Sequence, residues 1–149
     1  MITRFSSALA VVALAAGSAH CADVVRFKGS TVTFRVEASA VQGFTLTASA
    51  LCLAGSKGAN EIRVIPLDEP AKLDGDGQFT LAFDKSGTRV SVSGRVTGAA
   101  AEGRFEVYYT KTFNSYDPIT RSPKFEIASC SARAPWTARR EGPADNPPR

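Results

Sequence analysis

Apolar and polar residues alternate with a period of two along most of this chain, a pattern that only extended backbone sorts onto opposite faces. Val32, Phe34 and Val36 alternate with Thr31, Thr33, Arg35 and Glu37. Phe44, Leu46, Ala48, Ala50 and Cys52 form one long same-face row, with a bend expected near Ser49. Ile62 and Val64 open another strand, which Pro66 is expected to end. Phe79, Leu81 and Phe83 follow, then Val90 and Val92, then Phe105, Val107 and Tyr109, then Phe125 and Ile127. Ala132, Ala134, Trp136 and Ala138 close the series on the parity of Cys130.

Turn chemistry separates these runs. Lys28-Gly29-Ser30, Gly55-Ser56-Lys57-Gly58, Asp74-Gly75-Asp76-Gly77 and Asp84-Lys85-Ser86-Gly87 each stand between two apolar stretches. The only helix-friendly stretch, Ala99 to Glu102 between Gly98 and Gly103, is long enough for one turn. Short strands at this spacing predict an all-β fold, an antiparallel sandwich or small barrel of about eight to nine strands. Its domain spans residues 23–139, and residues 140–149, with three prolines and no apolar residue but alanine, read as a disordered tail.

The N-terminus carries Arg4, then an apolar, uncharged run from Ser6 to Ala16, then small residues from Gly17 to Ala22. That order is the pattern of a secretory signal peptide over residues 1–22. The run is shorter than the roughly 20 residues a membrane-spanning helix needs, and no transmembrane segment is expected elsewhere. The expected location is secreted or periplasmic. Cys21 offers a lipid-anchor alternative, against which His20 stands where that motif requires a small residue.

An oxidising compartment favours pairing the two remaining cysteines, Cys52 and Cys130, 78 positions apart. The chain-entropy account assigns a loop of that length about 4.5 kcal/mol of stabilisation. Trp136 shares the parity of Cys130 and is expected in the core near this bridge.

In sequence order, Phe27-x-Gly29, Val32-x-Phe34-x-Val36, Val41-x-Gly43-Phe44 and Cys52 are followed by Gly77-x-Phe79 and Val92-x-Gly94-x-Val96-x-Gly98. Ala101-x-Gly103-x-Phe105, Cys130 and Trp136-Thr137-Ala138-Arg139 complete the series. From Phe27 to Arg139 this pattern resembles a loosely defined group of secreted bacterial β-sandwich domains of unassigned function. The resemblance implies the fold and carries no catalytic residues. The segment from Tyr108 to Lys124 departs from the group, being longer and more aromatic.

Chemistry is narrowed by what the domain lacks. The single histidine, His20, falls in the expected leader, so Ser-His-Asp and Cys-His sites have no base. Pairing of both thiols removes cysteine nucleophiles and thiolate metal sites. Asp74-Gly75-Asp76-Gly77 begins like a calcium loop, yet the twelfth position holds Lys85 where a bidentate Glu belongs, so a plain turn is expected. No metal and no cofactor is expected. The formal charge of +4 is spread along the chain and interleaved with acids, which argues against nucleic acid as a partner.

The expected function is a non-catalytic binding module for an unknown protein or an envelope or glycan component. Its candidate partner-binding residues are Tyr108, Lys111, Phe113, Asn114, Tyr116 and Arg121, because aromatic faces beside amide and cationic donors suit such contacts. Residues 110–123 read as a hairpin loop longer than usual. A purely structural, protective domain is the first alternative. An enzyme acting on glycans through two carboxylates is the second.

Overall fold

The computed structural model describes residues 23–142, and every regular element in them is a β-strand. The strands are β1 (Val25–Lys28), β2 (Val32–Glu37), β3 (Ala40–Ala54), β4 (Lys57–Leu67) and β5 (Ala71–Lys72). They continue with β6 (Gln78–Lys85), β7 (Thr88–Thr97), β8 (Ala100–Tyr116) and β9 (Pro123–Arg140). All pair antiparallel in a single nine-stranded sheet of order β4-β3-β2-β1-β9-β8-β7-β6, with β5 on β3. The expected all-β fold with its disulfide is what the structure has. The expected leader at residues 1–22, Cys21 included, and residues 143–149 of the expected tail lie outside the described residues.

Four hairpins turn on two residues: Ala38–Ser39, Gly55–Ser56, Ser86–Gly87 and Gly98–Ala99. Each has positive φ at its first turn residue, the twist that matches right-handed strands. The Ala38–Ser39 turn has no glycine to announce it. The one helix-friendly stretch, Ala99 to Glu102, crosses from the Gly98–Ala99 turn into β8.

β3 is the backbone of the architecture. It runs unbroken past Ser49, where a bend was expected. One of its edges pairs with β4 from Phe44 to Ala54. Its other edge pairs first with β2 and then with β9. The switch closes a circuit from β3 through β2, β1 and β9 back to β3, so the sheet folds over on itself. At Gly43, with φ +57, an extra residue is inserted opposite Phe34. This bulge moves the buried positions from Val41 to Phe44, Leu46, Ala48, Ala50 and Cys52.

The fold-over buries an aromatic cluster. Phe27 stacks on Phe34 at 5.0 Å and Phe34 on Phe44 at 5.4 Å. Trp136 meets Phe44 edge-on at 5.8 Å and lies 6.1 Å from Phe79. The tryptophan fits only because Gly94 and Gly103 face it: a Cβ on either would come within 2.6 Å of ring atom Cζ2. Trp136 is buried as expected, but its partners are these aromatics and glycines, six residues along β9 from Cys130 and not beside the bridge.

At the other end small residues, Ala48, Ala50, Cys52, Ala128 and Cys130, surround a single large buried side chain, Tyr109. Cys52 and Cys130 are bonded and are direct cross-strand partners, with Cα atoms 3.9 Å apart. Their β3–β9 ladder is only three pairs long, Leu51–Leu53 against Ser129–Ser131, and the disulfide is its middle pair. The covalent link therefore sits in one of the two short ladders that close the circuit, the other being the two-pair contact of β1 with β9.

Two boundaries differ from expectation. Pro66 lies inside β4 rather than ending it, paired with Thr45; β4 is an edge strand, where proline's missing N–H costs nothing. Arg140, assigned to the tail, is the last residue of β9. Its N–H donates to Ala99, and Glu141 N–H donates to Arg26.

Candidate functional site: an uncharged apolar face

β4 and the first half of β9 depart from the rule that strands turn apolar residues inward. In β4 the core positions are Ile65 and Leu67, so parity sends Glu61 and Arg63 inward and Ile62 and Val64 outward. In β9 Cys130 and Ala128 are core, so Glu126 and Lys124 point to the inner side and Ile127 and Phe125 outward. Ile62 is 74% exposed, Ile127 71% and Phe125 67%. The sequence pattern placed both apolar pairs with the inward runs. The structure reverses them, because the nearest core residues fix the opposite register.

On the inner side, where this end is open to solvent, the charges find partners. The Lys111 ammonium donates to Glu61 at 2.7 Å, and the Arg63 guanidinium lies 4.3 Å over the Tyr109 ring. The Tyr109 hydroxyl lies 3.9 Å from Cys52 Sγ. Lys124 bonds Glu126 at 2.9 Å. This contact holds the Glu126 carboxyl below its ordinary pKa, first through the hydrogen bond and then through charge, and raises that of Lys124. These groups form a polar lining above the small-residue floor that carries the disulfide.

Outside, register joins four strands into one face. Ser49 opposes Ile62 and Thr47 opposes Val64 across β3–β4. Leu51 and Leu53 oppose Ser131 and Ser129 across β3–β9. Tyr108, Thr110, Thr112, Asn114 and Tyr116 oppose Ser131, Ser129, Ile127, Phe125 and Pro123 across β8–β9. No residue at these positions carries a formal charge. The face ends where Glu106 pairs with Arg133 at 3.0 Å, beside a shallow groove of about 420 Å³ bordered by Arg89 and Tyr108.

The structure divides the six residues expected to bind a partner. Tyr108, Asn114 and Tyr116 share the outer face, while Lys111 and Phe113 lie on the opposite side of β8. Arg121 is in the turn, at φ +54. The expected long loop at 110–123 is mostly strand: β8 continues to Tyr116 and β9 starts at Pro123, leaving six turn residues. Asp117 organises that turn. Its Oδ1 accepts from the N–H of Ile119 at 2.8 Å and of Thr120 at 3.2 Å, and these bonds lower its pKa. Leu51, Leu53, Ile62, Val64, Phe125 and Ile127 were not among the expected site residues. The parity of Cys130 and Leu67 was the available signal.

A second concavity, an open groove of about 810 Å³, lies along β6 to β9, where Gln78, Thr80, Arg95, Glu102, Arg104 and Thr137 contribute. Its Asp74 is occupied locally: Oδ1 accepts from the N–H of Asp76 at 2.9 Å and of Gln78 at 2.8 Å, as a turn cap does. Among the described residues, no group of three or more His, Cys, Asp or Glu side chains could hold a metal ion, and no helix is long and apolar enough to cross a membrane. No protein-family model, curated protein or solved structure matches the chain.

Proposed function

We propose that this chain is a non-catalytic extracytoplasmic interaction module that docks on a protein partner through the outer face of β4, β3, β9 and β8. The observation that carries the reading is the reversed polarity of β4 and β9. The charged side chains Glu61, Arg63, Lys124 and Glu126 take the inner side of their strands, Lys124 still exposed and the others half-buried, while Ile62, Val64, Phe125 and Ile127 face outward to solvent. Sequences depart from local rules of this kind mainly where function requires it. Contiguous exposed apolar surface, depleted of charge and edged by polar residues, is characteristic of interface cores. Tyr108 and Tyr116 add amphipathic aromatic contacts of the kind that anchor interfaces.

The extracytoplasmic placement draws on the leader-like N-terminus and on the Cys52–Cys130 bond, which suits an oxidising compartment. The pattern shared with secreted bacterial β-sandwich domains agrees with it. The test is capture from the culture fluid or envelope fraction of the native cell, with wild type and an Ile127→Asp variant as baits. A partner lost by the variant, with melting unchanged, supports the reading. Equal capture by both baits removes this face from the function.

A further inference from the structure

We infer that the partner on this face is a second copy of the same chain, packed outer sheet against outer sheet about a two-fold axis; this rests on the face being an interaction surface. Three properties of the face point there. The first is size. Eight exposed apolar side chains, Leu51, Leu53, Ile62, Val64 and Tyr108 with Tyr116, Phe125 and Ile127, at roughly 100 Å² each, offer on the order of 800 Å². That is the contribution of one partner to an interface of standard size.

The second is charge. A two-fold contact sets a surface against itself, so a patch of one sign would repel its own copy. This face has no formal charge on any of its four strands, although 21% of the chain is charged. It can meet its own image without desolvating an ion. An anionic membrane would be met by cations around the apolar residues. Here Lys57, Arg63, Lys111 and Lys124 all lie on the other side of their strands, and the two cations at the edge of the face, Arg133 and Arg89, are each paired with a carboxylate, Glu106 and Asp84.

The third is hydrogen bonding. The polar groups interleaved with the apolar ones are Ser49, Ser129, Ser131, Thr110, Thr112 and Asn114. Hydroxyls and amides each donate and accept, so identical rows of them satisfy one another in either direction. Two sheets pack face to face at about 10 Å with strands roughly aligned, a geometry in which the Ile62–Leu51 side of one copy covers the Ile127–Phe125 side of the other.

Sedimentation velocity on the protein expressed from the full chain, from micromolar to millimolar concentration, tests this. A reversible dimer is expected. Ile127→Asp should weaken it by roughly thirtyfold, the loss of one hot-spot side chain. Ile62→Lys should do the same from the other side of the face, and each variant should melt as the wild type does at a concentration where the wild type is monomeric. Thr80→Asp, in the separate groove, should leave the dimer unchanged. A monomer at every concentration, or a dimer indifferent to both variants, overturns the inference. So does flotation with phosphatidylcholine–phosphatidylglycerol vesicles that Ile127→Asp abolishes in a protein that never dimerises. If the protein stays monomeric while Ile127→Asp still loses a captured foreign protein, the second copy is overturned and the interaction module stands. If neither changes, both fall.

Discussion

The two ends of this sheet solve the same problem, closing a folded-over β layer, by opposite means. At one end five large aromatics fill the interior, and Trp136 is seated against Gly94 and Gly103. At the other, the interior is alanine, cystine and one large side chain, Tyr109, and a three-pair ladder is held by a covalent bond. The aromatic end is stabilised by buried area and ring contacts. The cystine end has one large buried side chain, Tyr109, where the other has five, and adds a restriction on the unfolded chain. The difference extends to the surface. Where the core is large, outward positions such as Arg95, Glu102 and Arg104 are charged. Where the core is small, charge has moved inside and apolar side chains have moved out. The end with fewer large buried side chains is the end with apolar surface left to give a partner.

Breaking each end separately sharpens this comparison. Cys52→Ala with Cys130→Ala should cost up to about 4.5 kcal/mol, read by urea denaturation. Hydrogen exchange should show the most protected amides losing that amount throughout, with further local opening in β9 around Ser129–Ser131. Trp136→Ala should cost about 3–5 kcal/mol, with the local opening instead in β1, β2 and β6. If both variants open the same amides locally, the two ends are not separate. Lys111→Ala, which breaks an exposed ion pair with Glu61, should cost about 0.2–1 kcal/mol and less in high salt. An expense of several kcal/mol there would mean that the polar lining, not the cystine, closes this end.

Acid should produce the smallest effect. Asp117 and Glu126 have lowered pKa values in the folded chain. Their stabilisation is thus present above the ordinary carboxylate pKa and is lost as pH falls through the lowered values. For Lys124, raised by Glu126, the contribution is present below its ordinary pKa and lost as pH rises through the raised one. The turn amides of Ile119 and Thr120 should therefore lose protection, measured against their intrinsic exchange rates, as pH falls below about 4, with the global melt little changed. Amides that stay equally protected at low pH would show that Asp117 does not hold the turn.

Much of the fold could be read from period two and turn chemistry, because both act locally. Phe34, Leu46, Phe79, Val92 and Phe105 lie where alternation puts them. Reading failed where parity is set at a distance. Ile62 and Val64 look like the inner face of a strand until Leu67 and Ile65 fix the register. Phe125 and Ile127 are likewise assigned by Cys130, five and three residues further on. The bulge at Gly43 changes parity within a strand and is marked only by its glycine. The candidate face suffered most. Tyr108, Asn114 and Tyr116 were found by composition, but their neighbours Leu51 and Ile62 come from strands far away in sequence, joined to them only by pairing.

Thiol reactivity at adjacent positions of β9 measures this reversal directly. In dilute, unreduced protein, the Ile127→Cys variant should react with a maleimide about as fast as a free peptide thiol. The Ala128→Cys variant, from the fully buried neighbour, should react only on unfolding. A protected thiol at 127 together with a reactive one at 128 would put the charged side of β9 outward and leave the face without its apolar surface.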